Sequence, residues 1–419
     1  MQKDYYQGNR GRLYAQMKEN SLLVLFSGME VRKTNDEYYP FYTDRNFLYL
    51  TGLEQKDLVF VARKDGEGHV KEKIYILPPD MLAERWNGAR IQPQQASDIS
   101  GVEEVGFVSA FEGEFHSLAA GGNYQNLYLD LFRVSPADRD APSHLFLKRI
   151  ASDYPFLHLE NANILIRRLR LIKQPCELEA MRRAEEITCA GITSMMKASR
   201  PGMYEYQYKA VFDYVLGQYG PQGPGFPSII SAGQNNFCIH YYSYKGQAHD
   251  GDMVLNDVGA CHDSIMTDVS RGWPCNGKFS ERQALLYNIA LQTSDHMFRI
   301  IKPGMAMQEV DGESHRYCAR LLVEAGVLDE EKNIHKYMWH GGAHHVGLDV
   351  HDAVAAPQVI GPNMVFCVDI GIYHEEWGIG FRLEDNCLVT EDGCENLSAV
   401  TPRTIPEIEA VMRQSFTAF

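Results

Sequence analysis

Residues 340–352 read HGGAHHVGLDVHD, with four histidines and two aspartates in thirteen positions. Neutral imidazole is the commonest protein ligand for a metal, so a cluster of this kind raises the question of an ion. The stretch is not a zincin helix, because H-G-G-A-H stands where H-E-x-x-H would supply a catalytic glutamate. Nor does the chain hold a G-x-S-x-G elbow, a P-loop or a dinucleotide fingerprint. A metal reading therefore needs ligands from elsewhere in the chain.

Two strand pairs can supply them. In DMVLNDVGACHDSIMTDVSRGW (252–273), a turn centred on His262 and Asp263 sets Asp257 directly opposite Asp268. Asp257 shares its strand face with Met253 and Leu255, which favours burial. In the second pair, MVFCVDIGIYH and GIGFRLEDNCLVT, a turn between Glu376 and Trp377 sets Asp369 opposite Glu384. Asp369 shares the face of Val365 and Cys367, and Arg382 shares that of Glu384, where it can support or neutralise a carboxylate. Like charges directly opposite each other are destabilising, and buried charges of one sign need a counter-charge or an ion. One such pair alone is as well explained by acids that face solvent. Two pairs beside a histidine cluster favour a metal site. Four carboxylates and one imidazole suit Mn, Zn, Co or Fe(II), with thiolate-loving sites excluded, and two such ions would activate a water at neutral pH.

The elements that must position these residues fall into two parts. SLLVLFSG (21–28), NFLYLTGL (46–53), LVFVAR (58–63), KIYILP (73–78) and NLYLDL (extended over 127–131) read as strands, and 136–155 carries a helix. This is an α/β domain. A long helix follows within 169–199, where Pro175 suits a first helical position and Arg200-Pro201-Gly202 closes the run. We place the domain boundary just before it, giving domains 1–168 and 169–419. Helical patterns at 280–302 and 307–326 alternate with the two strand pairs, which hints at a duplicated αβ unit.

Composition bounds the function. A chain of 419 residues predicts two or three domains, and 45% hydrophobic with 23% charged residues is the balance of a soluble globular protein. A net charge of -15 disfavours nucleic-acid and anionic-membrane partners. The N-terminal residues have no apolar signal region, and no apolar run approaches a membrane span. Nine cysteines without a C-x-x-C pair point to reduced thiols in a cytoplasmic protein.

The segments NDVGACHDSIMTDVSRGWPCNGKFS, HGGAHHVGLDVHD and GIGFRLEDNCLVT resemble aminopeptidase P and prolidase, the Xaa-Pro peptidases of the pita-bread metallopeptidase fold. LRLIKQPCELEAMRRAEEIT resembles the helix leading into that catalytic domain, and SGMEVRKTNDEYYPFYTDRNFLYLTG resembles the N-terminal domain of bacterial aminopeptidase P. The resemblance implies an α/β N-terminal domain and an α+β pita-bread catalytic domain of the creatinase/aminopeptidase type. It implies two divalent ions per chain, manganese first, on Asp257, Asp268, His344, Asp369 and Glu384, with Asp268 and Glu384 bridging. It places His240 near the substrate, gives His351 the orientation of the scissile carbonyl, lines the proline side with His340, counts Tyr373 among the substrate-binding residues, and braces the carboxylates with Arg382. His345 receives no role. AERWNGARI (83–91) resembles a segment whose tryptophan reaches a neighbouring subunit's site, which points to Trp86 and to a homodimer or homotetramer. The implied substrate is a peptide with proline at position two.

The chain departs from the family at one ligand. Where the family reads V-E-P-G-x-Y, this chain has Val368-Asp369-Ile370-Gly371-Ile372-Tyr373. Asp is one methylene shorter than Glu, so its oxygens retreat by ~1.5 Å. Losing the proline restores an N–H and frees φ, which can let the backbone follow. The alternatives are a weakly active enzyme, a metal-free hydrolase resembling creatinase, and a peptide-binding protein without activity.

Overall fold

The computed structural model describes residues 1–220, 222–352 and 359–417. The chain forms two compact units, Met1–Leu169 and Arg170–Phe419.

The first unit is built on a sheet of six strands: β1 (Ser21–Phe26), β2 (Val59–Lys64), β3 (Val70–Ile76), β4 (Glu104–Phe107), β5 (Asn126–Leu129) and β6 (His158–Asn161). Their order is β4-β3-β2-β1-β5-β6. β1, β2 and β3 pair antiparallel, whereas β4, β5 and β6 join parallel, as crossover helices require. Those helices, Val108–Ala120 and Pro142–Asp153, pack Phe111, Phe115 and Phe146 against Leu22, Val24 and Tyr75. Four of the five predicted strands are present. The fifth, 46–53, is instead the helix Arg45–Thr51. Asp44 Oδ1 accepts from Phe47 N at 2.9 Å, and Gly52, at φ 70°, closes the last turn. Every residue from Asn46 to Thr51 is buried, so no alternation separates helix from strand in this run. The helices Lys3–Tyr14, Val108–Ala120 and, in the second unit, Glu205–Gly217 also escape the sequence reading.

The second unit centres on an antiparallel sheet of β7 (Ile229–Ala232), β8 (Met253–Val258), β11 (Val269–Pro274), β12 (Val365–His374), β13 (Ile379–Val389) and β14 (Cys394–Asn396). The order runs β12-β13-β11-β8-β7, with β14 on β13. Between β8 and β11 lies a small hairpin, β9 (Cys261–His262) with β10 (Ile265–Met266). Helices Pro175–Ala198, Glu281–Ile300 and Met307–Glu324 cover one face. Strand alternation divides β12 and β13 cleanly. Phe366, Val368, Ile370, Phe381 and Leu383 enter the helix-covered core. Cys367, Asp369 and Tyr373, with Arg382 and Glu384, take the opposite face.

The two carboxylate hairpins differ in outcome. Asp369 stands opposite Glu384, as the sequence predicts. Asp257 does not stand opposite Asp268; its partner is Ser270. The turn sits one residue later than expected, on Asp263 and Ser264 at φ 48° and 66°. Two consecutive left-handed residues make the turn that matches the twist of the flanking strands. The correction moves the pairing by two residues, so Asp257 and Asp268 become diagonal neighbours on the same face.

Candidate metal centre

The His-rich stretch is fixed along the edge of β12. Cys367 N donates to His344 O at 2.7 Å, and Asp369 N donates to Gly342 O at 2.9 Å. Gly371 is required beside it, because a Cβ there would lie 2.4 Å from His340 Nε2. The following loop returns through Asp352 N to His345 O at 2.7 Å. Its anchor is ionic: Asp352 accepts from Arg170 Nη2 at 2.5 Å and from Lys173 Nζ at 2.8 Å, with all three side chains buried. Burial alone would raise the Asp352 carboxyl, but Arg170 and Lys173 outweigh it and hold it below the usual range. Asp352→Ala takes the buried carboxylate from Lys173 and leaves Arg170 with Asp349, and is expected to cost about 3–5 kcal/mol of stability, read as a lower urea midpoint. Because the folded carboxyl is depressed, its contribution is present above the ordinary aspartate range and is lost as pH falls through the folded value.

This scaffold brings nine of the predicted residues to one open cavity of about 420 Å³: His240, Asp257, Asp268, His340, His344, His351, Asp369, Arg382 and Glu384. His344 Nε2 lies 3.3 Å from Glu384 Oε1 and 3.5 Å from Asp268 Oδ2. Ser270 Oγ donates to Glu384 Oε2 at 2.8 Å. Arg382 Nη2 holds Asp257 Oδ2 at 2.8 Å, and its Nη1 donates to the Tyr373 hydroxyl at 2.9 Å. His340 Nδ1 lies 3.2 Å from Asp369 Oδ2, and its Nε2 shares a hydrogen bond with Tyr373 at 2.9 Å. Tyr373 is wholly buried, so it sits behind the cavity wall and orients Arg382 and His340 instead of lining the cavity. His351 is exposed in the cavity, its ring 4.5 Å from that of His344 at 76°. His345 is buried, with Nδ1 3.2 Å from Val365 O. Trp86 belongs to the first unit, on helix Met81–Asn87, and is 81% exposed.

One residue is missing from the predicted set. Among the described residues, the donor atoms that lie within 4.8 Å of one another belong to Asp268, His344, Cys367 and Glu384. Cys367 is legible in hindsight from strand period alone, two places before Asp369 on the same face.

The electrostatics leave room for a cation. Asp257 Oδ1, Asp268 Oδ1 and Asp369 Oδ1 are buried without a hydrogen-bond partner among the described residues. Burial, then the neighbouring charges of Glu384 and Asp257, push the Asp268 carboxyl well above its ordinary range. Burial and Glu384 do the same to Asp369, with Arg382 opposing. Against its own burial, Glu384 is held low by His344 and Ser270. His351 is lowered by burial and by the charge of His344, so it stays neutral. Orphaned, crowded carboxylate oxygens with one imidazole are a fitting donor set for divalent ions. Without an ion, the raised Asp268 and Asp369 carboxyls hold protons more tightly and binding must displace them, so metal affinity is expected to rise with pH. Calorimetry in buffers of different ionisation enthalpy would detect the released protons; an affinity independent of pH would contradict this.

Comparison with known proteins comes to the same place. Residues 179–391 match metallopeptidase family M24, and residues 6–128 match the aminopeptidase P N-terminal domain. The chain is 30% identical to the Xaa-Pro aminopeptidase of Escherichia coli, over 97% of each chain. A solved structure from Bacillus anthracis, described as an aminopeptidase P, is 33% identical and superposes with a TM-score of 0.96 over the whole of both chains. Zinc-substituted E. coli aminopeptidase P in complex with product is 28% identical, with a TM-score of 0.90 over 99% of this chain and 98% of that one.

Proposed function

Since the chain belongs to metallopeptidase family M24 and is an aminopeptidase P family member with a pita-bread catalytic domain, we propose that it removes the N-terminal residue from peptides with proline at position two. It is a metal-dependent exopeptidase. The observation that carries the reading is the set of buried, unpartnered carboxylate oxygens around His344. The metal-free and non-enzymatic alternatives would leave those oxygens crowded together without compensation.

Asp257, Asp268, His344, Asp369 and Glu384 are the residues proposed to hold two divalent ions. Bound there, such ions supply Lewis acidity for the scissile carbonyl and lower the pKa of a water toward neutrality. The chain's own groups do the rest. Arg382 fixes Asp257 and, through Tyr373, the His340 ring. His351 and His240 face the cavity, where the neutral His351 imidazole donates a hydrogen bond to the developing oxyanion. Asp369, with one oxygen clear of hydrogen bonds among the described residues, takes the proton that the attacking water loses and passes it to the departing proline nitrogen. His340 keeps that carboxyl oriented.

The reading extends to manganese as the first ion, to a homodimer or homotetramer with Trp86 at a subunit boundary, and to the cytoplasm. The oxygen-rich donors support manganese. The exposed Trp86 supports an interface, and nine cysteines without a C-x-x-C pair support a reducing compartment. No described helix is long and apolar enough to cross a membrane.

The substrate is tested by comparing matched tripeptides, Xaa-Pro-Yaa and Xaa-Ala-Yaa, and quantifying the released first residue by chromatography. The proline peptide is expected to react at least ~10-fold faster, within the range that pocket shape provides. Equal rates, or cleavage away from the first bond, would contradict the assignment.

A further inference from the structure

We propose that Cys367 is a metal ligand, its Sγ completing a donor set with Asp268 and Glu384 oxygens and a His344 nitrogen. The proposal rests on the metallopeptidase reading above and adds a sulfur to its oxygen-rich site.

Four observations point the same way. The donor atoms of these four residues lie within 4.8 Å of one another, a set that does not include Asp369. Cys367 is wholly buried, yet not on the core face of β12, where Phe366 and Val368 pack. A cysteine serving only as a small apolar filler would belong with those two. Its cross-strand partner is Asn386, which places Glu384 on the diagonal. Asn386 Oδ1 is 3.8 Å from Sγ, while its Nδ2 is committed to Asp268 O at 2.7 Å. Finally, Asp268 Oδ1 is buried without a hydrogen-bond partner among the described residues, on a residue only 3% exposed.

The cysteine also accounts for the shortened ligand. Asp369 is held by His340 Nδ1 at 3.2 Å, and its side chain is one methylene shorter than the glutamate of the family pattern. A donor two residues earlier on the same face supplies a further ligand beside the shortened one. One nitrogen, two carboxylates and one thiolate are four donors of types that zinc accepts. Thiolate is a soft ligand, so this position favours Zn, Co or Fe(II) over Mn, which fits the oxygen donors around Asp257. Cys367 binds as the thiolate, its proton passing to solvent.

The test is X-ray absorption at the zinc edge on the full wild-type chain reconstituted with Zn²⁺. It is paired with near-ultraviolet spectra of the Co²⁺-loaded wild type and of Cys367→Ser. The expected result is a sulfur scatterer at ~2.3 Å, together with a sulfur-to-cobalt charge-transfer band that disappears in C367S. Zn²⁺ affinity should fall ~10-fold or more in C367S, and Mn²⁺ affinity should change far less. An oxygen- and nitrogen-only shell would overturn the proposal, and so would a band that survives in C367S, since it would come from another cysteine. If that chain still hydrolyses Xaa-Pro peptides, the peptidase reading stands and only the cysteine falls. A chain that retains no ion overturns both.

Discussion

Glu384→Gln is expected to reduce Xaa-Pro hydrolysis by at least about 10³-fold and to strip metal from the site. Glu384 sits at the centre of the donor set: Ser270 holds one oxygen at 2.8 Å, and His344 lies 3.3 Å from the other. Gln keeps the volume and one oxygen but loses the charge. The several kcal/mol of charge stabilisation that a bound ion supplies then goes with it, and ~1.36 kcal/mol is a factor of ten in rate. The same charge is held in the metal-free fold: against its own burial, His344 and Ser270 keep the Glu384 carboxyl low, so Gln also gives up those contacts and lowers metal-free stability. Measuring kcat/KM, metal content and the thermal midpoint in chelator on one preparation separates the effects. Activity within tenfold of wild type at full metal content would contradict the assignment.

His351→Ala should behave differently, lowering kcat by about 10²–10³-fold while metal content stays at the wild-type level. The side chain lines the cavity without belonging to the clustered donors, and its ring rests 4.5 Å from His344. Burial and the nearby His344 charge keep it neutral, so it acts through a directed N–H and not through charge. Loss of one donor to a developing oxyanion costs about that much in other enzymes. The side chain is half-exposed at the open cavity, so its removal should not endanger the fold. Metal loss in this variant would make His351 a ligand, and an unchanged kcat would remove it from the reacting carbonyl.

How much of this is legible in the sequence depends on local geometry. The β12–β13 register can be read because two long strands run without interruption into a turn, so their faces and pairing follow from one centre. The β8–β11 register is misread by two residues because its turn uses Asp263 and Ser264 at positive φ, where no glycine marks the spot. The even shift preserves the faces, so the site survives the error while the facing pair does not. The helix at Arg45–Thr51 is hidden by uniform burial, which erases the periodicity that distinguishes helix from strand. The Arg170–Lys173–Asp352 anchor joins residues some 180 positions apart and has no local sequence signal. Tyr373 reads as a substrate contact from its place in a motif, but only the packing reveals that its hydroxyl serves Arg382 and His340. Cys367 is visible as the neighbour of Asp369 and is set aside only because carboxylates and imidazole already suggest an oxygen-rich site.

The most direct measurement is hydrolysis of an Xaa-Pro tripeptide by the purified chain before chelation, after removal of metal, and after reloading, with metal counted per chain at each stage. The account predicts release of the first residue, loss of that activity by at least ~10³-fold in chelator, and recovery in step with ions rebound. A rate that chelation does not change, or full metal occupancy without cleavage, would contradict it.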